Sequence, residues 1–231
     1  HELAEMNEID AAAFLEELPS EQAALVFRLL PKEAAAEVFS NLESETQQVI
    51  ITAITDSELK EIMEELAVDD AVDMVEELPA NVVKRVLKST KPDTRALINQ
   101  FLRYPENSTG SIMTAEYTDL RKDMNVREAI DHIRTVGEDS EQIYTCYVTD
   151  QARLLEGVVT VKELLLAKDV TTVGELMETD VITANTTDDR EETSRVMMKY
   201  DLLVMPVVDT EHRLVGLVTV DDVMDVMEEE A

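Results

Sequence analysis

Leucine or isoleucine recurs every twelve residues through the first part of the chain. The positions are Leu18, Leu30, Leu42, Ile54, Leu66 and Leu78. Proline follows three of them, at Pro19, Pro31 and Pro79, and proline ends one helix while it is tolerated in the first turn of the next. Each repeat therefore predicts one short helix. Helices this short are marginal alone, so they have to stack and share a core. Residues 1–107 are predicted to form an all-α superhelical domain.

A second kind of repeat begins at Ser108, where glycines appear and β-branched runs alternate with helical patterns. GSIMTAEYTDL matches GELMETDVITA, and GVVTVKELL matches GLVTVDDVM. A constant spacing of 59 residues relates Gly157 to Gly216 and Thr160 to Thr219. Alternation of this kind is typical of βαβ units. We predict two β-α-β-β-α copies, at 108–171 and 172–231, and hence a fold of class α plus α/β.

Acidic residues dominate the composition: 51 Asp and Glu face 20 Lys and Arg, which gives a net charge of −31. A hydrophobic content of 45% excludes a disordered acidic chain. The charge argues against nucleic acid and against direct binding to anionic membrane surfaces. It favours partners that are cations.

Motifs for catalysis are absent from the sequence, which has no nucleophile elbow, HExxH or phosphate-binding glycine loop. We therefore expect no enzyme. Cys146 lies in an apolar run and is expected to be a buried thiol. The chain starts at His1 and stops within an acidic helical pattern, so we expect it to be a fragment of a longer protein.

The duplicated half resembles a tandem pair of cystathionine-β-synthase (CBS) domains. The resemblance depends on IMT and LME at the starts of the copies, VMPVVD at 204–209, and the closing GVVTVKE and GLVTVDD segments. Together with the Leu-Pro repeat and YPENSTGSIMT from Tyr104, the whole order resembles the cytosolic region of MgtE-type magnesium transporters.

That resemblance implies a homodimeric Mg²⁺ sensor at the cytoplasmic face of the cell membrane. In the family Mg²⁺ lies between the helical domain and the CBS pair and favours the closed pore. A transmembrane domain, absent from this chain, would follow it and be its partner. Since Mg²⁺, Ca²⁺ and Mn²⁺ all accept oxygen ligands, ligand type leaves the choice of ion open.

Candidate metal ligands in the second half begin with Asp222 and Asp225, which lie three residues apart on one predicted helix face. Asp222 is also placed to cap that helix with Thr219, and both roles stay open. Further candidates, of which the first two follow from the resemblance, are Glu191, Asp201 and Glu230.

The helical half offers its own candidates in VDDAVDMVEEL. Asp69 and Asp73 lie one turn apart, and Asp70 lies between them. An acidic first turn that complements the helix dipole is the alternative explanation. Glu37, from a preceding repeat, completes the set of predicted metal ligands.

Nucleotide binding is a second possibility, because many CBS pairs hold an adenine nucleotide in their cleft. The resemblance places Thr160, Lys162, Thr219 and Asp222 near such a nucleotide, for example ATP. Helix capping is again the alternative for the threonines and acids. Three functions thus remain open: a Mg²⁺-sensing region, a nucleotide-sensing CBS module, and a helical adaptor that binds a basic protein.

Overall fold

A computed structural model describes residues 6–137 and 140–229 of the chain. The chain divides into two compact units, a helical unit at residues 1–102 and a second unit at residues 103–231. The expected boundaries between the two CBS copies are sequence boundaries, and they stay predictions.

The described part of the helical unit, residues 6–102, contains eight short helices. They are α1 (Glu8–Glu16), α2 (Ser20–Phe27), α3 (Lys32–Ser40), α4 (Ser44–Ala53), α5 (Asp56–Glu65), α6 (Val68–Glu77), α7 (Ala80–Ser89) and α8 (Pro92–Phe101). Pro19, Pro31 and Pro79 each stand one residue before a helix. A proline there stops the preceding helix and presets the chain for the next.

The helices pack mainly on their second neighbours, with α2 on α4, α3 on α5, α5 on α7 and α6 on α8. Leu42, Ile54, Leu66 and Leu78 are all buried at the repeat junctions. Leu18 and Leu30, from the first two repeats, are half-buried. The predicted all-α domain is confirmed, and its superhelical arrangement stays a prediction.

Two arginines connect helices that are distant in sequence. Arg28 pairs with Glu58 at 2.8 Å. Arg85 pairs with Asp56 at 2.8 Å and donates to the carbonyl oxygens of Ile51 and Ile54. The carbonyls at the end of α4, which have no partner within the helix, are satisfied in this way.

Within the described residues, two three-stranded sheets form the core of the second unit. Its elements are β1 (Tyr117–Leu120), α9 (Val126–Val136), β2 (Gln142–Thr149), β3 (Leu155–Thr160), α10 (Val161–Leu166), α11 (Val173–Leu176), β4 (Ala184–Asn185), α12 (Arg190–Lys199), β5 (Val204–Val208), β6 (Leu214–Thr219) and α13 (Val220–Glu229). In each sheet the first two strands are parallel and the last two antiparallel. Each copy therefore runs β-α-β-β-α, as the duplication predicts.

The segment that enters each copy packs on the other copy. Thr114, ahead of the first copy, exchanges two backbone hydrogen bonds with Leu217 on β6, at 2.8 and 2.9 Å. Glu178, ahead of the second copy, exchanges two with Val158 on β3, both at 2.9 Å. We call residues 108–115 and 172–178 the entry segments. Each entry segment therefore packs against strands of the other copy, although in sequence it directly precedes its own copy.

Glycines make the exchange possible. A Cβ atom at Gly216 would lie 2.7 Å from the Thr114 carbonyl oxygen and from the Met113 sulfur. A Cβ at Gly157, the equivalent position, would lie 2.7 Å from the Glu178 carbonyl oxygen. Gly157 and Gly216 are 59 residues apart, at equivalent positions of the two copies, and each faces the backbone of an entry segment.

Side chains from both copies also share one apolar cluster. Tyr147 and Leu155 of the first copy lie in it with Val204, Val208 and Leu217 of the second. Burial on this scale stabilises each residue by about 1.5–3 kcal/mol. The two copies therefore share a core and form one folded unit rather than two independent domains.

Candidate functional site

Helix α6 carries the acidic face on which the predicted ligands of the helical unit lie. Val68, Ala71, Val72, Met74 and Val75 are buried. This apolar stripe leaves the acids on the opposite side: Asp69 and Asp70 are half-buried, and Asp73 is exposed. Ala67, the N-cap residue, has no side chain that could cap the helix. Asp69 and Asp70 lie in the first turn, where acidic residues are favoured by the helix dipole. The Asp70 N–H donates to Asp69 Oδ1 at 3.2 Å.

A cavity of about 260 Å³ lies beside this face, between α6 and the segment 40–47. Four acidic side chains line it: Glu43, Asp70, Asp73 and Glu77. The cavity thus brings together Asp70 and Asp73 of the predicted set. Asp69 and Glu37 are not among its lining residues.

Neutral polar groups complete the lining of the cavity. Gln47 is buried there and donates from Nε2 to the Phe39 carbonyl oxygen at 3.0 Å. Asn41 donates to the Glu37 carbonyl oxygen at 2.8 Å. These bonds help to fix the α3–α4 turn, which forms the wall opposite α6.

Two acids of the cavity were not predicted. Glu77 follows Asp73 by four residues, and that spacing alone puts both on one helix face. Glu43 comes from another repeat, and only tertiary packing brings it to α6. Carboxylate and amide oxygens are donors that suit a hard cation such as Mg²⁺, which keeps several of its waters. Within residues 6–137 and 140–229, no group of three or more His, Cys, Asp or Glu side chains is close enough to hold a metal ion directly.

The predicted ligands of the second unit are spread over two helices. Glu191, in the first turn of α12, pairs with Arg195 at 2.5 Å. Asp201 follows the end of the same helix with φ 52°. Asp225 is exposed on α13. Glu230 lies outside the described residues. The structure thus places Glu191 and Asp201 at opposite ends of α12 rather than side by side.

Asp222 forms the cap that the sequence allowed. Its Oδ2 accepts hydrogen bonds from the Thr219 N–H at 2.9 Å and from Thr219 Oγ1 at 2.7 Å. In the first copy Glu163 Oε2 accepts from the Thr160 N–H and Oγ1, each at 2.7 Å. Lys162 is exposed beside this cap. The predicted nucleotide-binding threonines therefore already orient the starts of α10 and α13.

Burial decides the chemistry of the cysteine. Cys146 is completely buried on β2, and desolvation raises its pKa to about 12. A thiol with this pKa stays protonated at neutral pH and is a poor nucleophile. The expectation of a buried strand thiol is confirmed.

Family matches cover both units. Residues 6–107 match the MgtE intracellular N domain, and residues 173–229 match the CBS domain. The chain is 41% identical over 162 residues to the magnesium transporter MgtE of Thermus thermophilus, a match that covers 70% of this chain and 36% of that protein.

The chain belongs to the MgtE family. It is also 32% identical over 169 residues to the MgtE of Bacillus subtilis, which covers 73% of this chain and 38% of that protein. The chain thus spans about a third of the length of the curated MgtE proteins it matches. No helix in the described part of the chain is long and apolar enough to cross a membrane.

Solved MgtE structures share the fold over almost the whole chain. The cytosolic domain of the Mg²⁺ channel MgtE in complex with ATP has 41% sequence identity and a TM-score of 0.90, with 97% of this chain and 92% of that chain covered. The soluble part of a magnesium transporter has 26% identity and a TM-score of 0.93, with 99% and 90% covered. The predicted order of a helical domain and a CBS pair is confirmed.

Proposed function

We propose that this chain is the Mg²⁺-sensing regulatory region of a magnesium transporter and works at the cytoplasmic face of the membrane. Its acids bind Mg²⁺, and ions shared by the helical unit and the CBS pair favour the closed state. The observation that carries the proposal is the acidic cavity on α6, in a chain of the MgtE family. The transmembrane part of such a protein would be the partner that responds.

Electrostatics supplies the switch. The acids of α6 and of the CBS pair repel one another when no cation is present, and bound Mg²⁺ removes that repulsion. The ion then favours whichever arrangement binds it better, by the difference in its affinity for the two arrangements. A shift from 1:99 to 99:1 needs about 5.5 kcal/mol, which favours several ions over a single weak one.

A Mg²⁺ titration followed by small-angle scattering tests this proposal. The radius of gyration should fall as Mg²⁺ rises to millimolar levels and recover with EDTA. The double variant Asp70→Asn, Asp73→Asn removes two acids of the cavity and should shift the midpoint to higher Mg²⁺. The matched variant Glu17→Gln, Glu21→Gln removes two exposed acids elsewhere and should behave like the wild type. Identical scattering with Mg²⁺ and with EDTA would refute the proposal.

A nucleotide is a second candidate ligand, because a relative with 41% identity was solved with ATP. Thr219 and Asp222 lie at the start of α13, where the helix N-terminus favours phosphate near Thr219. The Asp222 carboxylate would accept hydrogen bonds from the ribose hydroxyls. We propose that ATP binds in the CBS pair with these residues and with Thr160 and Lys162 among its contacts.

Calorimetry with ATP separates this role from simple helix capping. The variant Thr219→Ala, Asp222→Ala should abolish the heat of ATP binding. The matched variant Thr172→Ala, Glu175→Ala removes a similar cap that was not predicted to meet nucleotide, and it should leave ATP binding intact. Loss of binding in both variants would point to general destabilisation instead.

A homodimer is the proposed assembly, and apolar side chains on and beside α12 and α13 are the surface we assign to it. Met198 is 49% exposed, Leu203 72% and Met224 66%. Exposed apolar groups of this size favour a protein partner. Sedimentation should show a dimer that Met198→Glu, Met224→Glu dissociates, whereas Leu25→Glu, on α2, should leave it unchanged. A monomeric wild-type chain would contradict this assignment.

A further inference from the structure

The basic residues of the helical unit are concentrated at one end of its sequence. Residues 1–79 hold 21 acids and three bases, whereas residues 80–102 hold one acid and five bases. Helix α7 contains no acidic residue at all. An otherwise strongly acidic unit thus ends in a locally positive segment.

Most bases of the unit are neutralised internally. Arg28, Lys32, Lys60, Arg85 and Lys91 each lie within 4.0 Å of an acidic side chain. Arg95 donates to the Leu87 carbonyl oxygen at 3.2 Å. These residues stabilise the stack of helices and need no external partner.

Lys84 and Lys88 are different. Both are exposed on α7, one helical turn apart, and neither forms an ion pair with any residue that the structure describes. Two lysines at this spacing repel each other and destabilise a helix. Acids that could pair with them are abundant in the chain, with 51 Asp and Glu against 20 Lys and Arg. The exposed face of α7, defined by Lys84 and Lys88, therefore carries a positive charge that the fold leaves available.

The composition of this face indicates what kind of partner it fits. Protein interfaces are enriched in aromatic residues and arginine and depleted in lysine. Between residues 30 and 96, no large apolar side chain of the described structure is more than about a third exposed. Lysines without an apolar anchor suit a diffuse anionic surface, where each contributes attraction without fixed geometry.

From these observations we propose that the α7 face binds the anionic headgroups of a phospholipid membrane. Relatives of the chain are magnesium transporters, and one solved relative is the soluble part of such a protein, so a bilayer is near at hand. The net charge of −31 predicts no membrane-surface binding for the chain as a whole. At physiological salt, however, charges more than about 8 Å away are largely screened, so the local charge decides. This proposal does not depend on Mg²⁺ sensing.

Vesicle co-sedimentation of the whole 231-residue chain tests it. Vesicles of phosphatidylcholine with about one-third phosphatidylserine are compared with pure phosphatidylcholine, in EDTA so that no divalent ion bridges carboxylates to headgroups. Binding should be confined to the anionic vesicles and be lost at high salt. The double variant Lys84→Glu, Lys88→Glu should weaken it by about tenfold or more.

The control is Arg127→Glu, Lys168→Glu, which changes the net charge equally at two exposed positions of the second unit and should bind like the wild type. Circular dichroism verifies that both variants fold. Equal binding of the wild type to neutral and anionic vesicles overturns the proposal, as does an equal loss in the control variant. Binding to soluble polyglutamate without binding to vesicles would also overturn it, in favour of an acidic protein partner.

Discussion

At the scale of single residues, Asp201 has two candidate roles, as a metal ligand and as a residue of the C-terminal cap of helix α12. The sequence offered it as a metal ligand. In the structure it has φ 52°, the Leu202 N–H donates to the Met197 carbonyl oxygen at 2.9 Å, and the Asp201 N–H donates to the Met198 carbonyl oxygen at 3.4 Å. This is a Schellman motif, in which glycine is the usual residue at the left-handed position. A backbone role for Asp201 is thus established, and its role as a ligand stays a prediction.

Replacement of Asp201 by glycine should raise the free energy of unfolding by about 0.5–1 kcal/mol, because glycine adopts a positive φ without a steric cost. Urea unfolding measures the change. The variant Asp201→Asn removes the charge but tolerates the same backbone, so it should have a smaller effect. A less stable glycine variant would mean that the carboxylate makes a stabilising interaction.

Glu175 provides a test of pH dependence. Its Oε2 accepts hydrogen bonds from the Thr172 N–H and Oγ1 at 2.8 and 2.9 Å, and these bonds lower its pKa from the ordinary value of 4.5. A carboxyl whose pKa is lower in the folded state stabilises the fold above its unfolded pKa. That stabilisation is lost as the pH falls through the folded pKa.

The difference in unfolding free energy between wild type and Glu175→Gln should therefore be constant near neutral pH and shrink below about 4.5. Denaturant unfolding at a series of pH values measures it. In a Thr172→Ala background the same substitution should show less pH dependence, since the hydrogen bonds are gone. A difference that does not vary with pH in the wild-type background would contradict the assignment.

At the scale of elements, the two entry segments supply backbone hydrogen-bond partners to strands β3 and β6. Gly157 and Gly216 admit the backbone of Glu178 and Thr114, respectively. The 59-residue repeat identified both glycines as equivalent. It could not show why they are glycines, because the atoms that crowd them come from the other copy.

Alanine at Gly216 should lower the free energy of unfolding by about 1–3 kcal/mol, because its Cβ would overlap a backbone carbonyl oxygen that cannot move away freely. Gly157→Ala should behave in the same way. Gly137→Ala is the control, since the nearest atom there belongs to the Ile143 side chain at 3.0 Å. Thermal unfolding should show a smaller loss of stability for the control. Equal losses would mean that the entry segments move aside to accommodate the added Cβ atom.

At the scale of the whole molecule, the second unit behaves as one interlocked body. Met113 is fully buried, and Thr109 Oγ1 lies 2.7 Å from Thr193 Oγ1 in the other copy. The predicted division at residue 172 follows the sequence repeat, but the entry segment of each copy pairs with a strand of the other copy. The copies should therefore unfold together.

A fragment of residues 116–231 should be less stable than one of residues 103–231 by at least about 3 kcal/mol, because it lacks the buried Met113 and the paired backbone of Thr114. Denaturant unfolding of the two fragments measures the difference. Met113→Ala in the longer fragment should cost about 2–5 kcal/mol and thus account for much of it. Equal stabilities would show that the entry segment contributes little.

The sequence by itself determined the succession of helices, the duplicated β-α-β-β-α unit and the family, because periodicity, proline positions and the 59-residue spacing are local or repeated signals. It also indicated α6 as the acidic helix. Only the tertiary structure decided that Glu43 joins Asp70 and Asp73 around one cavity, and that each entry segment packs on the other copy. It also decided that, among the residues the structure describes, no acid pairs with Lys84 or Lys88. Each of these depends on residues far apart in the chain, and a one-dimensional pattern does not specify which distant groups packing brings into contact.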